Sequence, residues 1–334
     1  MAEIRNTEFQ VGAEKKIIYI DVTKPSPIAQ ATVNVVGVFS TKQEVKEQKI
    51  TNFEDLAGVE TDTDLYKIVR AVFVAGGQEV VVYGKNVTDG GYKALFDGVE
   101  NDWFGTVTDE TDIQKIVAIS KEIAAREKML FAQVPKGAEV AGAAKAIKEI
   151  AEDTTALFFN KNDEYTAASV AGYTISKLPG STLIANKDIN GATYSGLTGA
   201  EQGIVEKAWA NYIAPMKGQP GLANGTNVKG EPIDFIHCAK ALKFRLEEDF
   251  TALLKNSQKL GFEPDDLMLV KTTALERIQQ FEGWKALKKG KTVVSLPASI
   301  PDNDELNGIL TGVVIDTYYV YGAKEMRIQL RFLV

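Results

Sequence analysis

His237 and Cys238 are the only histidine and the only cysteine of the chain, and they stand side by side. A thiol next to an imidazole is the pairing from which a cysteine nucleophile and its general base are built. Read as the end of an extended stretch, however, neighbouring residues point to opposite faces and cannot share a hydrogen bond, so the plainer reading is a structural strand-to-helix junction. One His and one Cys also leave too few ligands for an ordinary zinc site, and no disulfide can form within the chain. Glu247, Glu248 and Asp249 offer three carboxylates for acid and base work. Consecutive charges on a helix diverge, and these are expected to face water. Gly290-Lys291-Thr292 ends like a phosphate loop, but that motif needs a glycine at position 285, where Lys285 stands. The glycines between 218 and 230 lie in a turn-rich stretch rather than between a strand and a helix, so they do not make a dinucleotide fingerprint. The residues capable of chemistry therefore point to no enzyme and no cofactor.

The 334 residues are 45% apolar and 25% charged, enough for two domains of ordinary composition. A net charge of −7 without a long basic run argues against nucleic-acid binding. There is no apolar run of membrane-spanning length, and the first sixteen residues lack the apolar core of a signal peptide, so the expectation is folding in a cytoplasm without membrane insertion.

The elements that would carry these residues alternate between strand and helix from Val33 onward. VNVVGVFS reads as a strand, DLYKIVRAVFVAG from Asp64 as a helix stopped by Gly76 and Gly77, and EVVVYGK from Glu79 as a strand. Residues 89–109 read as loop. Three helix and strand pairs follow, ending in MLFAQVP, TALFF and STLIAN. Their helices span 111–123, with Thr111 and Gln114 as a capping box, then 138–151 and 167–177. Helices between successive strands imply parallel pairing and an α/β layer, within a mixed α+β chain. Beyond a linker at 190–197, Thr198 and Glu201 predict a capped helix that buries Ile204, Val205, Ala208 and Trp209. The glycine-rich passage 218–237 predicts a β excursion. Leu242, Leu246, Phe250 and Leu253 mark a helix with Lys243, Arg245, Glu247 and Asp249 outside, and Pro264 opens another through Trp284. The basic run Lys285, Lys288, Lys289 and Lys291 fits a solvated helix end or, more sharply, a docking surface.

Both chain ends are β-prone. Lys16, Ile17, Ile18, Tyr19, Ile20 and Val22 lie in a terminal strand ended by Pro25 and Pro27. At the other end Met326, Ile328, Leu330, Phe332 and Val334 alternate with Glu325, Arg327, Gln329 and Arg331, the period of a half-buried strand. Burying those five side chains gains roughly 7–15 kcal/mol, whereas ordering ten residues costs about 1–2 kcal/mol each. This strand must pair. A hairpin with residues 309–320 covers one edge and leaves the other open, which suggests an internal partner or linkage to another subunit.

Taken in order, these segments resemble contractile phage tail sheath proteins, a family shared by phages, phage-tail-like bacteriocins and related injection systems. VNVVGVFS, KITNFEDLAGV and LYKIVRAVFVAGGQEVVVYGK are similar to the family's opening strand, short helix and glycine-ended helix. EKAWANYIAPMKGQPGLANGTNVKGEPIDFIHCAKALKFRLEEDFTALL resembles its hairpin, "ID" strand and long helix, and DELNGILTGVVIDTYYVYGAKEMRIQLRFLV its closing hairpin. The resemblance implies an inner sheath domain built from residues 1–22 and 195–334, with 23–194 inserted as an outer α/β domain. It also implies stacked hexameric rings around a tail tube, terminal strands exchanged between subunits, and baseplate and tail terminator proteins as further partners. The particle would be a virion tail or a phage-tail-like assembly put together in a bacterial cytoplasm. Lys285, Lys288, Lys289 and Lys291 are its candidates for the tube-facing surface. An α/β enzyme with an unrecognised site and a non-contractile filament subunit are the competing readings.

Overall fold

The computed structural model describes residues 32–88, 91–135, 139–162 and 164–324. The two terminal strands expected at 16–22 and 326–334 lie outside the described residues.

Six strands form the central sheet, in the order β2-β3-β1-β4-β5-β6. The near-continuous apolar runs become its parallel core: β1 (Val35–Ser40), β3 (Glu79–Gly84), β5 (Met129–Gln133) and β6 (Thr155–Phe158), each covered on both faces. β4 (Gly105–Thr108), in the stretch expected to be loop, is a buried strand between β1 and β5. GTVT is short and small, so it gives almost no periodic signal. β2 (Val45–Ile50) is a second strand without a clear signal; VKEQKI runs antiparallel along the outer edge of β3, where the exposed Lys46 and Lys49 blunt the edge.

Helices cover both faces. α1 (Asp64–Val74) and α5 (Thr166–Ile175) pack on one face with Val36, Val38, Val80 and Phe131. α2 (Tyr92–Phe96), α3 (Ile113–Ala125) and α4 (Val140–Ile147) cover the other with Val35, Phe39, Val81 and Leu130. The start of α3 is capped by the Asp112 carboxylate, which accepts from the amides of Gln114 and Lys115 at 2.9 and 3.1 Å, rather than by the expected Thr111 box. Residues 181–186 form no strand. Asn186 takes a left-handed backbone (φ 64°) and donates its amide to Leu222, while Leu222 donates to Lys187, so this segment borders the later hairpin instead of extending the sheet.

The predicted box at Thr198 and Glu201 caps α6 (Gly199–Lys207). The helix buries Val205, but Ile204 and Trp209 are 37% and 39% exposed, contrary to expectation. Trp209 sits at the helix's left-handed exit with φ 57°, where glycine is usual, and a Cβ on Gly230 would lie 2.9 Å from its indole. β7 (Tyr212–Met216) and β8 (Gln219–Ala223) make the expected glycine-rich hairpin, turning through Lys217 and Gly218, both at positive φ. α7 (Ile233–Asn256) and α8 (Pro264–Gly283) follow. β9 (Val293–Ser295) pairs antiparallel with β10 (Val314–Asp316), and α9 (Asp302–Leu306) lies in the connection between them. Each of the two hydrophobic cores contains residues from both sides of position 195.

Candidate functional site

Ile233 and Asp234, expected as strand, instead open α7, and this places His237 and Cys238 one turn into a helix rather than at a strand end. Both are buried. The His237 ring stacks on Phe104 with centroids 5.5 Å apart, and its Nε2 lies 3.2 Å from the Val33 carbonyl oxygen. Burial holds the imidazole down to about 4 and pushes the Cys238 thiol up to about 12, so the thiol stays protonated and is a poor nucleophile. Cys238 also abuts Gly180, where an added Cβ would meet the Cys238 Cβ at 2.7 Å. Tyr319, from the C-terminal segment, donates a hydrogen bond to the carboxylate of Asp234 on the same helix, and burial raises both groups above their usual ranges. These groups tie the C-terminal segment to α7; they do not converge on a reactive space.

The three consecutive acids are not simply solvated. Arg277 of α8 donates through Nε and Nη2 to both oxygens of Asp249, each at 2.6 Å. Glu248 pairs with Arg245 at 2.7 Å and Glu247 with Lys243 at 3.4 Å. Lys243 also bonds Glu127 across the fold at 2.6 Å. Their work is to lock α7 to α8 and to the end of α3.

In a doubly wound sheet a ligand is held where the strand order reverses, at the carboxyl ends of the strands. That point here lies between β1 and β4. Asp109 occupies it, buried, and accepts from the Ser40 hydroxyl, from the Thr41 amide at 2.8 Å and from the Thr41 hydroxyl at 3.0 Å. Lys85 and Val87 close over it through their amides to the Ser40 and Thr41 carbonyls. Glu110, next along, accepts from the amides of Thr111 and Asp112, both at 3.0 Å. The acids that would meet a ligand are consumed in closing the crevice. Among the described residues no group of three or more His, Cys, Asp and Glu is placed to hold a metal, and no helix is long and apolar enough to cross a membrane.

Among the described residues the β9–β10 ribbon is a sheet of two strands only. Val294 and Ile315 turn toward the core, while Val293 and Val314 on the opposite face are 57% and 50% exposed. Two strands of three residues are too few to be stable without further pairing. Leu287 bridges Tyr319, and the Lys288 amide donates to the Tyr318 carbonyl at 2.7 Å, so the loop after α8 is stitched to the ribbon. Lys285, Lys288, Lys289 and Lys291 are all exposed on that loop.

No family model and no curated protein sequence matches the chain. Solved structures do. A chain of the baseplate of the anti-feeding prophage aligns with a TM-score of 0.69 at 14% identity, covering 97% of this chain and 100% of its own. The helical sheath of the same particle, in its contracted state, aligns at 0.66 and 14% identity, covering 96% and 99%. A sheath tail protein from Listeria innocua aligns at 0.60 and 8% identity, covering 86% and 92%. The chain has the fold of contractile tail sheath proteins, over nearly its whole length.

Proposed function

We propose that the chain is the structural subunit of a contractile tail sheath, polymerising as stacked hexameric rings around a tail tube. The observation that carries this reading is the β9–β10 ribbon, two-stranded among the described residues, in a fold shared over 96% of the chain with a helical sheath protein. Strands from residues 16–22 and 326–334, each contributed to a neighbouring copy, would complete that ribbon with main-chain hydrogen bonds. The inner domain would comprise 1–22 and 195–334 and the outer domain 23–194. Baseplate and terminator proteins are the remaining partners, and the tail or tail-like particle, assembled in a bacterial cytoplasm, is where the chain resides. The burial of His237, Cys238 and Asp109, with Asp109 and His237 hydrogen-bonded, favours this over an enzyme. For the four exposed lysines two partners are available, the tube and the neighbouring copy.

Deleting residues 325–334 tests it. Negative-stain microscopy of the purified chain is expected to show long tubes, and the truncated chain short rings or folded monomers with unchanged circular dichroism. An enzyme would stay a small discrete oligomer in both forms, and truncation would loosen its fold.

A further inference from the structure

Residues 317–324 cross the molecule as a strap after β10. They are stitched to the loop after α8 by the Lys288 amide, which donates to the Tyr318 carbonyl at 2.7 Å, and by the Val320 amide, which donates to the Ala286 carbonyl at 2.9 Å. At the far end the Lys324 amine donates to the Asn224 carbonyl at 2.7 Å, and the Lys324 carbonyl accepts from the Asn186 side chain at 2.6 Å. Gly322 passes so close to Leu183 that an added Cβ would lie 2.9 Å from it. Yet of these residues only Tyr319 is buried, and Tyr318 and Tyr321 are each 55% exposed. Tyr319 meets Phe235 of α7 edge to face with 5.1 Å between centroids, and Tyr321 meets Tyr319 in the same way at the same distance. A segment with a single buried side chain and a few backbone hydrogen bonds is the kind of unit that opens while the rest of a protein stays folded.

What Tyr319 fastens onto is an acid. Its hydroxyl donates to Asp234, which is 3% exposed in the first turn of α7. The charged and titratable groups around that carboxylate are Tyr319 and Lys324 of the strap, Cys238 one turn further along α7 and, beyond Tyr319, Tyr321 with Glu231. Burial outweighs the help of the Tyr319 hydroxyl and the Lys324 charge, so beneath the closed strap the acid keeps its proton above the ordinary carboxylate range. Lifting Tyr319 away returns the carboxylate to water, where it ionises freely. Ionisation therefore favours the open strap, whereas the aromatic contacts favour the closed one. We propose that residues 317–324 are a pH-sensitive latch on α7, fastened by Tyr319 at Asp234 and able to release as a unit while both hydrophobic cores stay intact. The closed strap binds the proton more tightly than the open one, so the latch is firmest in acid and loosens as pH rises through the raised range of Asp234. Closed, it fixes the point at which the chain passes beyond Lys324; open, it lets that point move. The device belongs to a single copy and does not depend on self-assembly.

Hydrogen exchange of the unassembled chain, read by mass spectrometry from pH 4 to pH 8 and corrected for intrinsic exchange, tests it. A peptide covering the strap is compared with one covering β3 as the core reference. The strap is expected to be less protected than β3 and to lose further protection relative to it as pH rises, about tenfold for each pH unit by which closure raises the acid. Asp234→Asn is expected to abolish that relative pH dependence. Tyr319→Phe keeps the ring contact but leaves the ionised acid without its donor. At pH 8 its strap protection is expected to fall roughly tenfold or more, with β3 unchanged. Three results each overturn the latch: strap and β3 equally protected in the wild-type chain, a pH trend that survives in Asp234→Asn, or a Tyr319→Phe variant that loses protection in both peptides alike. None of these readings needs a polymer, so a chain that opens its strap but never forms tubes would sink the sheath reading and leave the latch standing.

Discussion

Charging His237 has to happen inside the core, against Phe104 and with the Val33 carbonyl as hydrogen-bond partner. The folded imidazole therefore takes its proton at about 4, well below the ordinary value of 6.5, and burial is the main cause. The unfolded chain binds that proton first, so this histidine leaves stability intact above about pH 6.5 and lowers it progressively as pH falls toward 4, by about 3 kcal/mol in all. Asp234, one turn earlier, works in the opposite sense: its raised folded value means the folded chain holds the proton longer, and stability falls as pH rises through that range. His237→Phe keeps the ring stack and removes the titration while leaving Asp234 in place. At pH 7 the variant should be less stable by about 1 kcal/mol, for the lost carbonyl bond. At pH 4.5 it should be the more stable of the two. Urea unfolding at both values checks this, and a gap that does not change with pH would mean that the ring titrates in water. That such a role belongs to the lone histidine is only half legible in the sequence. Its structural character can be argued, but its secondary structure cannot, because PIDFIH reads equally as a strand or as the first turn of a helix.

At the scale of elements, what can be seen in the sequence is what repeats. VVGVFS, EVVVYG, MLFAQ and TALF are apolar enough to be recognised as strands covered on both faces, and the capping pair Thr198 and Glu201 marks its helix to the residue. β2 and β4 escape for opposite reasons, one being a charged edge and the other four small residues. Close approaches are also invisible in sequence, and α1 against α5 is the sharpest of them. A Cβ on Gly172 would sit 2.3 Å from the Val72 carbonyl oxygen, and that oxygen already accepts from the Gly77 amide at 2.9 Å, so it cannot swing away. Alanine in a helix interior is worth about 1 kcal/mol over glycine, but overpacking against fixed backbone costs about 1–3 kcal/mol or more. Gly172→Ala is expected to lower stability by about 1–2 kcal/mol. Gly203→Ala in α6, where nothing lies within 4 Å, should raise it by up to about 1 kcal/mol. Thermal melts of the two variants with the same sign would refute the packing argument.

For the whole molecule, the proposed sheath reading asks mechanical work of a chain whose candidate reactive groups His237, Cys238 and Asp109 are buried. The crevice at the head of β1 and β4 is filled by Asp109 and its three donors, and on the proposed reading the energy comes instead from assembly, through two ways of packing the same subunits. Subunits laid down on a tube would occupy an extended lattice of higher energy, and release at one end would let successive rings repack into a wider, lower one. A metastable lattice needs a template. The purified chain alone should therefore polymerise only into the wide form, and tubes of smaller diameter and longer pitch should appear only when tube protein is present. Mild heating or dilute denaturant should convert the second into the first without intermediate diameters, and cooling should not bring it back. Measuring pitch and diameter by electron microscopy before and after treatment separates the alternatives. A static filament would show one geometry with or without tube, whereas a reversible change in diameter would place the two lattices at similar energy and remove the driving force from the subunits themselves.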